Sequence, residues 1–376
     1  MLVFSHLATD SRVLRQVRAL SERYDVTSAS FGPSPVAGVD HVQLTNMPPY
    51  RDGVLSRLAY QAAFVLRLFP LIVRRNARNR AAFALLGSQE WDVVVANDVE
   101  ALPLALRLAP RWGVHSDVHE YSTRQDEHSF RWRTFERPYF RWLVRTRLPK
   151  AKAVTTVSGG LAREYLREFG VAAEVVTNAS ALQSLEPRPV SSPIRLVHSG
   201  VPAVQRRLEL MIDAVRMSTA NVTLDLYLID DGSDYLASLK ARAVGEQRIR
   251  FLPPVDSGQL VSVLNAYDVG LCVLPPTTFN LAWCLPNKFF DYVQARLGVI
   301  VGPSPEMKHV VEEDGLGQVS DDFTAESLAR VLDELDPVVV AGWKKAADAH
   351  AVELSSGPQT DIWVRSIDRI VGAAAS

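Results

Sequence analysis

QSLEPRPVSSPIRLVHSG, residues 183–200, holds the decision about fold. Its first eleven residues, 183–193, carry three prolines and three serines. That composition cannot continue a helix or a central strand and reads as a linker. The next seven, IRLVHSG, form an apolar, β-branched run that stops at a glycine, which is a buried strand. The same alternation of strand, turn and amphipathic helix runs on both sides of this joint.

Before the joint, strands are expected at 2–5, 25–31, 91–98, 113–120 and 153–158. A helix is expected over 11–23, with Val13, Leu14, Val17 and Leu20 on one face. After it, strands are expected at 194–200, 222–230, 248–253, 268–274 and 298–302, with helices at 207–217, 257–266, 286–296 and 325–335. A closing helix over 360–371 has Ile362, Trp363, Ser366, Ile367 and Ile370 as its stripe. Short buried strands separated by helices give an α/β fold of two parallel sheets. The expected organisation is a Rossmann-like domain over 1–182, the linker 183–193, a second Rossmann-like domain over 194–355 and a C-terminal segment over 356–376. Ligands of such sheets lie beyond the carboxyl ends of the strands, here at a cleft faced by the two domains.

Composition narrows the function classes. The chain of 376 residues suits two domains. Its net charge of -1 hides an asymmetry. Residues 1–182 hold 24 Lys and Arg against 17 Asp and Glu, and the remainder 17 against 25. The basic half fits an anionic surface, and no recognition motif for nucleic acid accompanies it. Two cysteines, Cys272 and Cys284, make neither a disulfide framework nor a zinc site and fit a reducing compartment. No charged leader precedes the first strand and no apolar run reaches bilayer length, so a cytoplasmic protein is expected.

Four constellations fall just after strands. In LPNKFFDYVQARLGVIVG, 285–302, Pro286 opens a helix and Lys288 stands in its first turn beside free backbone N–H groups. That pairing suits a diphosphate. Asp291, one turn on, can bind ribose hydroxyls or simply pair with Lys288 on the surface. In SGVPAVQRRLELMIDAV, 199–215, Gly200 permits close backbone approach, and Arg206 and Arg207 open a helix where either can grip a phosphate or stay in solvent. In DVHEYSTRQ, 117–125, Asp117, His119 and Glu120 cluster, with Asp98 at the end of the preceding strand. His119 is a candidate for sugar contact or proton transfer, while one His with carboxylates at this spacing is no metal set. The first loop, SHLATDSRVLRQV at 5–17, has no glycine, which argues against a dinucleotide cofactor. There Ser5 and His6 precede Asp10, a candidate helix cap with Ser11, and Arg12 and Arg15 suit an acceptor or phosphate contact.

Two basic stretches remain. Residues 51–80 hold seven arginines against Asp52 alone, threaded through LAYQAAFVLRLFPLIV. Residues 131–152 hold eight basic residues against Glu136 alone, with Trp132, Phe135, Tyr139, Phe140 and Trp142. Such helices can lie on an anionic membrane, as a peripheral protein of its inner face, or can be core helices whose arginines snorkel outward.

Taken in order, these segments resemble the GT-B glycosyltransferases of family 4. The first loop is similar to that family's D-x-R-V-x-R-x-x-x-A-L pattern at Asp10, Arg12, Val13, Arg15, Ala19 and Leu20. The D-x-H-E segment, the TVSGGLAREYLREFGV…VTNAS run (156–180) and the R-x-L-E helix start also match, and LPNKFFDY resembles a donor-site signature written P-N-K-x-F-E-Y. The likeness spans about residues 3 to 335. It implies a GT-B fold whose last helix crosses back to the first domain. It also implies transfer of a sugar, with retention and without a catalytic metal or cofactor, from a nucleotide-diphosphate donor of UDP or GDP type to an acceptor glycan, lipid-linked sugar or small molecule. Carried over by position, His119, Arg206 and Lys288 serve catalysis. Gly200, Arg207, Leu285, Pro286, Asn287 and Asp291 bind donor, and Ser5, His6, Asp10, Arg12, Asp98 and Glu120 lie on the acceptor side. Two departures stand out: Trp283 occupies the first of two positions often held by glutamate, and Arg207 follows Arg206 where glycine is common. They leave room for a GT-B-fold epimerase or a partner subunit with a degenerate donor site.

Overall fold

The computed structural model describes residues 1–50 and 53–375; Arg51 and Asp52, which head the first basic stretch, lie outside them. The chain divides into two compact units, one of Met1–Val176 with Thr278–Asn280 and Thr360–Ser376, the other of Thr177–Thr277 with Leu281–Gln359.

In the first unit the chain runs β1 (Leu2–His6), α1 (Ser11–Ser21), β2 (Thr27–Phe31), β3 (Asp40–Leu44), α2 (Val54–Val65), α3 (Phe69–Arg75), α4 (Ala77–Leu86), β4 (Val93–Asn97), α5 (Leu102–Arg107), β5 (Gly113–Val118), α6 (Arg137–Arg147), β6 (Ala153–Thr156), α7 (Gly159–Phe169) and β7 (Glu174–Val175). Its seven strands are parallel in the order β3-β2-β1-β4-β5-β6-β7. In the second unit the run is β8 (Ile194–Gly200), α8 (Glu209–Met217), β9 (Val222–Leu228), α9 (Asp234–Arg242), β10 (Ile249–Leu252), α10 (Ser257–Leu264), β11 (Val269–Cys272), α11 (Phe279–Ala282), α12 (Asn287–Gln294), β12 (Gly298–Val301), α13 (Pro305–Glu313), β13 (Gly317–Val319), α14 (Ala325–Asp333) and α15 (Pro337–Ala349). Here the parallel order is β10-β9-β8-β11-β12-β13. The final helix, α16, is Ser356–Ala375.

Both orders reverse direction beside their first strand, between β1 and β4 and between β8 and β11. Such a reversal opens a crevice at the carboxyl ends of the strands, which is where ligands of doubly wound sheets bind. The two faces of the second sheet are filled by alternating residues. Leu196, Leu271 and Ile300 pack into the core shared with α8 and α14, whereas Val197, Cys272 and Val299 pack into the core shared with α12 and α15.

The strands expected from sequence agree with the observed ones within about two residues at each end. The additional strands β3, β7 and β13 are edge or near-edge pieces whose residues are mostly half-exposed, so they lack the apolar run that marks a buried strand. The aromatic residues of 131–152 do not form an outward row: Trp132 and Tyr139 are buried, and Tyr139 packs edge-on against Phe64 and Phe69.

The first unit is organised around a buried ion pair. Arg12, in the first turn of α1, donates from Nε and Nη2 to both oxygens of Asp117 on β5, at 2.9 and 2.7 Å. Its Nη1 donates to the Val176 carbonyl at 2.6 Å. Thr155 of β6 adds a hydroxyl donor to Asp117 at 2.7 Å, and the guanidinium lies 4.8 Å from the ring centre of Trp363 on α16. Around this anchor, Ile367 and Ile370 pack on Leu20 and Val95, and the His115 and Ser366 side chains meet at 3.0 Å. Burial alone would raise the Asp117 pKa, but Arg12 and His119 overwhelm it and hold the carboxyl far below the usual range. The pair therefore stabilises the fold above the ordinary carboxylate pKa, and its contribution fades as acid approaches the depressed folded value. Asp117→Asn leaves the Arg12 charge buried without its counter-ion. Urea unfolding of the variant at neutral pH is expected to show a loss of about 3–5 kcal/mol from the first unit.

Candidate active site

In the second unit, β8 ends at the reversal point with Gly200, whose φ of +138° strains any residue with a side chain. A Cβ there would sit 3.0 Å from Lys288 Nζ and 3.3 Å from Arg206 Nη1, so two cations converge on the space that glycine leaves open. Arg206 ends the short turn Val204–Arg206, and its Nη1 also donates to the Val201 carbonyl at 3.2 Å. Arg207 behaves differently. Its backbone is left-handed, with φ +48°, and its side chain is exposed and turned to Glu209 at 3.3 Å.

Lys288 enters from the first turn of α12. Pro286 stands at the cap with no side-chain acceptor, and the first N–H groups of the helix are free of helical partners by geometry. Leu285 is buried and Asn287 is exposed. The helix carries Lys288 inward, leaving it 8% exposed. Its Nζ meets His198 Nε2 at 3.1 Å. His198 lies on β8, and its Nδ1 contacts the Leu271 carbonyl of β11 at 2.8 Å, across the reversal point. A carbonyl only accepts, so Nδ1 carries the proton and Nε2 is left to accept from the lysine. Burial and the neighbouring ammonium both push the His198 pKa well down, which keeps the ring neutral in that tautomer.

A comparison within the same unit shows what is unusual. Lys344, equally buried, has a buried counter-ion in Asp268 at 3.3 Å and a carbonyl acceptor in Tyr267 at 2.7 Å. Lys288 has no carboxylate within ion-pair distance among the described residues. Burial lowers its pKa to about 8, so it remains largely charged at neutral pH. A buried cation backed by a neutral imidazole, beside a second cation, is an arrangement that can hold an anion. One turn along α12, Asp291 accepts from Ser180 Oγ at 2.5 Å, and burial raises its pKa.

In the first unit, Asp98, His119 and Glu120 line one pocket of about 160 Å³, together with Glu100, Ser122 and Phe140. His119 is set between carboxylates, with Nδ1 3.5 Å from Asp98 and Nε2 3.4 Å from Asp117. Burial opposes a charge on the ring, but Asp98 and Asp117 outweigh it and raise the pKa. Asp98 adopts a left-handed φ of +65° and accepts from the His119 backbone at 3.2 Å, which fixes the loop.

The other first-loop candidates are placed differently, and none lines this pocket. Asp10 caps α1 through the Val13 N–H at 3.1 Å and accepts from Ser5 Oγ at 2.8 Å. His6 packs against Phe31 and beside Gly32. Arg12 points inward, with its donors taken by Asp117 and Val176. The structure thus gathers Gly200, Arg206 and Lys288 at one point and Asp98, His119 and Glu120 at another. Sequence reading passed over His198, Ser180 and the pairing of Arg12 with Asp117. The one visible signal was a histidine inside an otherwise apolar strand, two residues before its terminal glycine.

Residues 10–180 match the sequence model of Glycosyltransferase Family 4. By sequence, none of the curated proteins matches the chain. Among solved structures, it is similar to a sucrose-phosphate synthase from Thermosynechococcus elongatus, at TM-score 0.68 and 15% identity, over 96% of this chain and 93% of that one. HepE from Anabaena, in complex with UDP and glucose, matches at TM-score 0.66 and 16% identity over 94% of each chain. WaaG, a glycosyltransferase involved in lipopolysaccharide biosynthesis, matches at TM-score 0.60 and 12% identity over 96% of each. At these identities the likeness is one of fold, and that fold is GT-B. Residues 10–180 thus carry the pattern of glycosyltransferase family 4, and the two parallel sheets have the GT-B arrangement.

Proposed function

We propose that this glycosyltransferase takes its sugar from a nucleoside diphosphate donor held in the second unit, with the diphosphate on Arg206, Lys288 and the open space at Gly200. The observation that carries this reading is the buried Lys288 ammonium without a carboxylate partner, aimed with Arg206 at the place where a Cβ is missing. Departure of a nucleoside diphosphate builds negative charge on the leaving oxygen. Two fixed cations and a helix N-terminus answer that charge without reorganising. Asp291, already accepting from Ser180, is proposed to take the ribose hydroxyls. The pocket around His119, with its carboxylates and an imidazole, suits a hydroxyl-rich ring. Retention of configuration follows from the family resemblance and is part of the proposal, as is the UDP or GDP type of the nucleotide; HepE has been solved with UDP-glucose. The left-handed backbone of Arg207, with its side chain turned to Glu209, supports Arg206 as the phosphate contact.

A thermal-shift panel of UDP, GDP, UMP and UDP-sugars tests the reading. A diphosphate is expected to raise the melting temperature and UMP to do so far less. Equal shifts with UMP and UDP would remove the diphosphate from the pocket. Lys288→Ala is expected to weaken UDP roughly tenfold or more by calorimetry, the loss of one charge-assisted contact. Arg207→Gly should leave UDP affinity as it is and relieve left-handed strain of about 1 kcal/mol, read from urea unfolding.

The affinity should also depend on pH with a defined sign. Lys288 binds an anion only when protonated, and burial sets its pKa at about 8. UDP affinity is then full below that value and falls as the pH rises through it, by roughly tenfold per unit for one linked proton. The slope should vanish in Lys288→Ala. A wild-type affinity that stays flat across that range would show that Lys288 does not touch the diphosphate.

A further inference from the structure

The basic stretch 51–80 has no part in the proposed chemistry, yet its fold is unusual. Helix α2 is apolar in composition but buries only Ala63 among its twelve residues. Ser56, Ala59 and Ala63 line a pocket shared with Ile72, Arg75 and Arg80 of the following helices. The adjoining side carries Tyr60, which also lines that pocket, and Phe64; the two run into an edge-on series of rings through Tyr139 to Phe69. Both of these sides face the protein. The third side carries Val54, Leu55, Leu58, Val65 and, just past the helix, Leu66, all between 53% and 84% exposed. At 3.6 residues per turn these five fall within about one third of the helix circumference. The aliphatic stripe of α2 therefore points away from its own unit.

Beyond α3, and continuous with the pocket under α2 through Arg75 and Arg80, lies a larger concavity of about 850 Å³. Its walls hold Arg74, Arg75, Arg80, Arg107, Arg147 and Lys150, and no Asp or Glu. None of the six lies in an ion pair among the described residues. Two are braced on aromatic rings, Arg107 at 3.8 Å from the centre of Phe83 and Arg147 at 5.4 Å from that of Trp142. Six cations without a carboxylate repel one another, and guanidinium groups in a concave site match phosphate oxygens.

We propose that this face docks on an anionic lipid bilayer, with the aliphatic stripe of α2 at the boundary of headgroups and acyl chains and the arginine pocket on lipid phosphates. The occupant is argued from charge and from the stripe together. A soluble phosphate would satisfy the pocket but leave the stripe in water, and an apolar partner would cover the stripe but leave the six cations unmatched. Twelve residues of helix extend about 18 Å, too short to cross a hydrocarbon core of about 30 Å, so α2 lies in the interface rather than through it. No helix among the described residues is long and apolar enough to cross a membrane.

Co-sedimentation of the full chain with vesicles tests the proposal. The protein is expected to pellet with vesicles of equal parts phosphatidylcholine and phosphatidylglycerol, to stay in solution with phosphatidylcholine alone, and to be released by raised salt. Leu55→Ser with Leu58→Ser should weaken the partition at least about tenfold. Arg74→Gln with Arg107→Gln should weaken it roughly fivefold per arginine. The UDP-induced thermal shift of both variants should match the wild type, which shows that they fold. Equal pelleting with neutral vesicles, or none with anionic ones, overturns the proposal. So does a result in which inorganic pyrophosphate binds in calorimetry, Arg74→Gln with Arg107→Gln abolishes that binding, and Leu55→Ser with Leu58→Ser still pellets as the wild type does; the pocket would then be a site for soluble anions.

Discussion

The buried contact between Arg12 and Asp117 is the constraint on which the first unit depends. One guanidinium ties the start of α1 to the carboxyl end of β5, to the carbonyl at the end of the last strand and to the indole of α16. It also sets the electrostatics of the adjacent pocket. Asp117 stays ionised because Arg12 pairs with it, and the same carboxylate then helps raise the His119 pKa. A structural ion pair and a candidate substrate contact thus share one carboxylate. Changes at Arg12 would reach the pocket through His119 even though Arg12 is sealed inside.

The second unit solves the opposite problem. Its buried lysines Lys288 and Lys344 differ in their partners, above all in the counter-ion. Lys344 is closed off by Asp268, which also accepts from the backbone of Ser191 and Arg195 and so fastens the segment leading into β8. Lys288 is backed by His198, a neutral acceptor that orients the ammonium without neutralising it. Burial lowers the cost of pairing with an incoming anion because the cation has already lost most of its water. The reversal of strand order supplies the geometry: β8 brings His198 and Gly200, and the chain leaving β11 brings Lys288.

Much of this was legible in the sequence, and the exceptions have physical reasons. Central strands such as VVVAN and VTLDLYL announce themselves because both faces are buried and every residue is selected for it. Edge strands such as DHVQL and GQV are half-wet and read as loops. The cap at Asp10 and the stripe at Trp363, Ser366, Ile367 and Ile370 were readable from local rules, since each depends on spacing alone. Arg12 was not, because an arginine early in an amphipathic helix ordinarily faces solvent, and its partner lies 105 positions away. Which of Arg206 and Arg207 turns toward Gly200 depends on one left-handed residue, which no periodicity reveals.

The return of α16 has a consequence for biosynthesis. The first unit needs Thr360–Ser376, yet the entire second unit is translated between Val176 and that segment. A nascent chain emerging from the ribosome therefore displays an almost finished amino-terminal sheet with Leu20 and Val95 uncovered and Arg12 lacking its indole lid. The second unit, whose residues are nearly contiguous, can fold on its own while that surface waits. Until α16 has been made, the first unit keeps this apolar surface open to other chains.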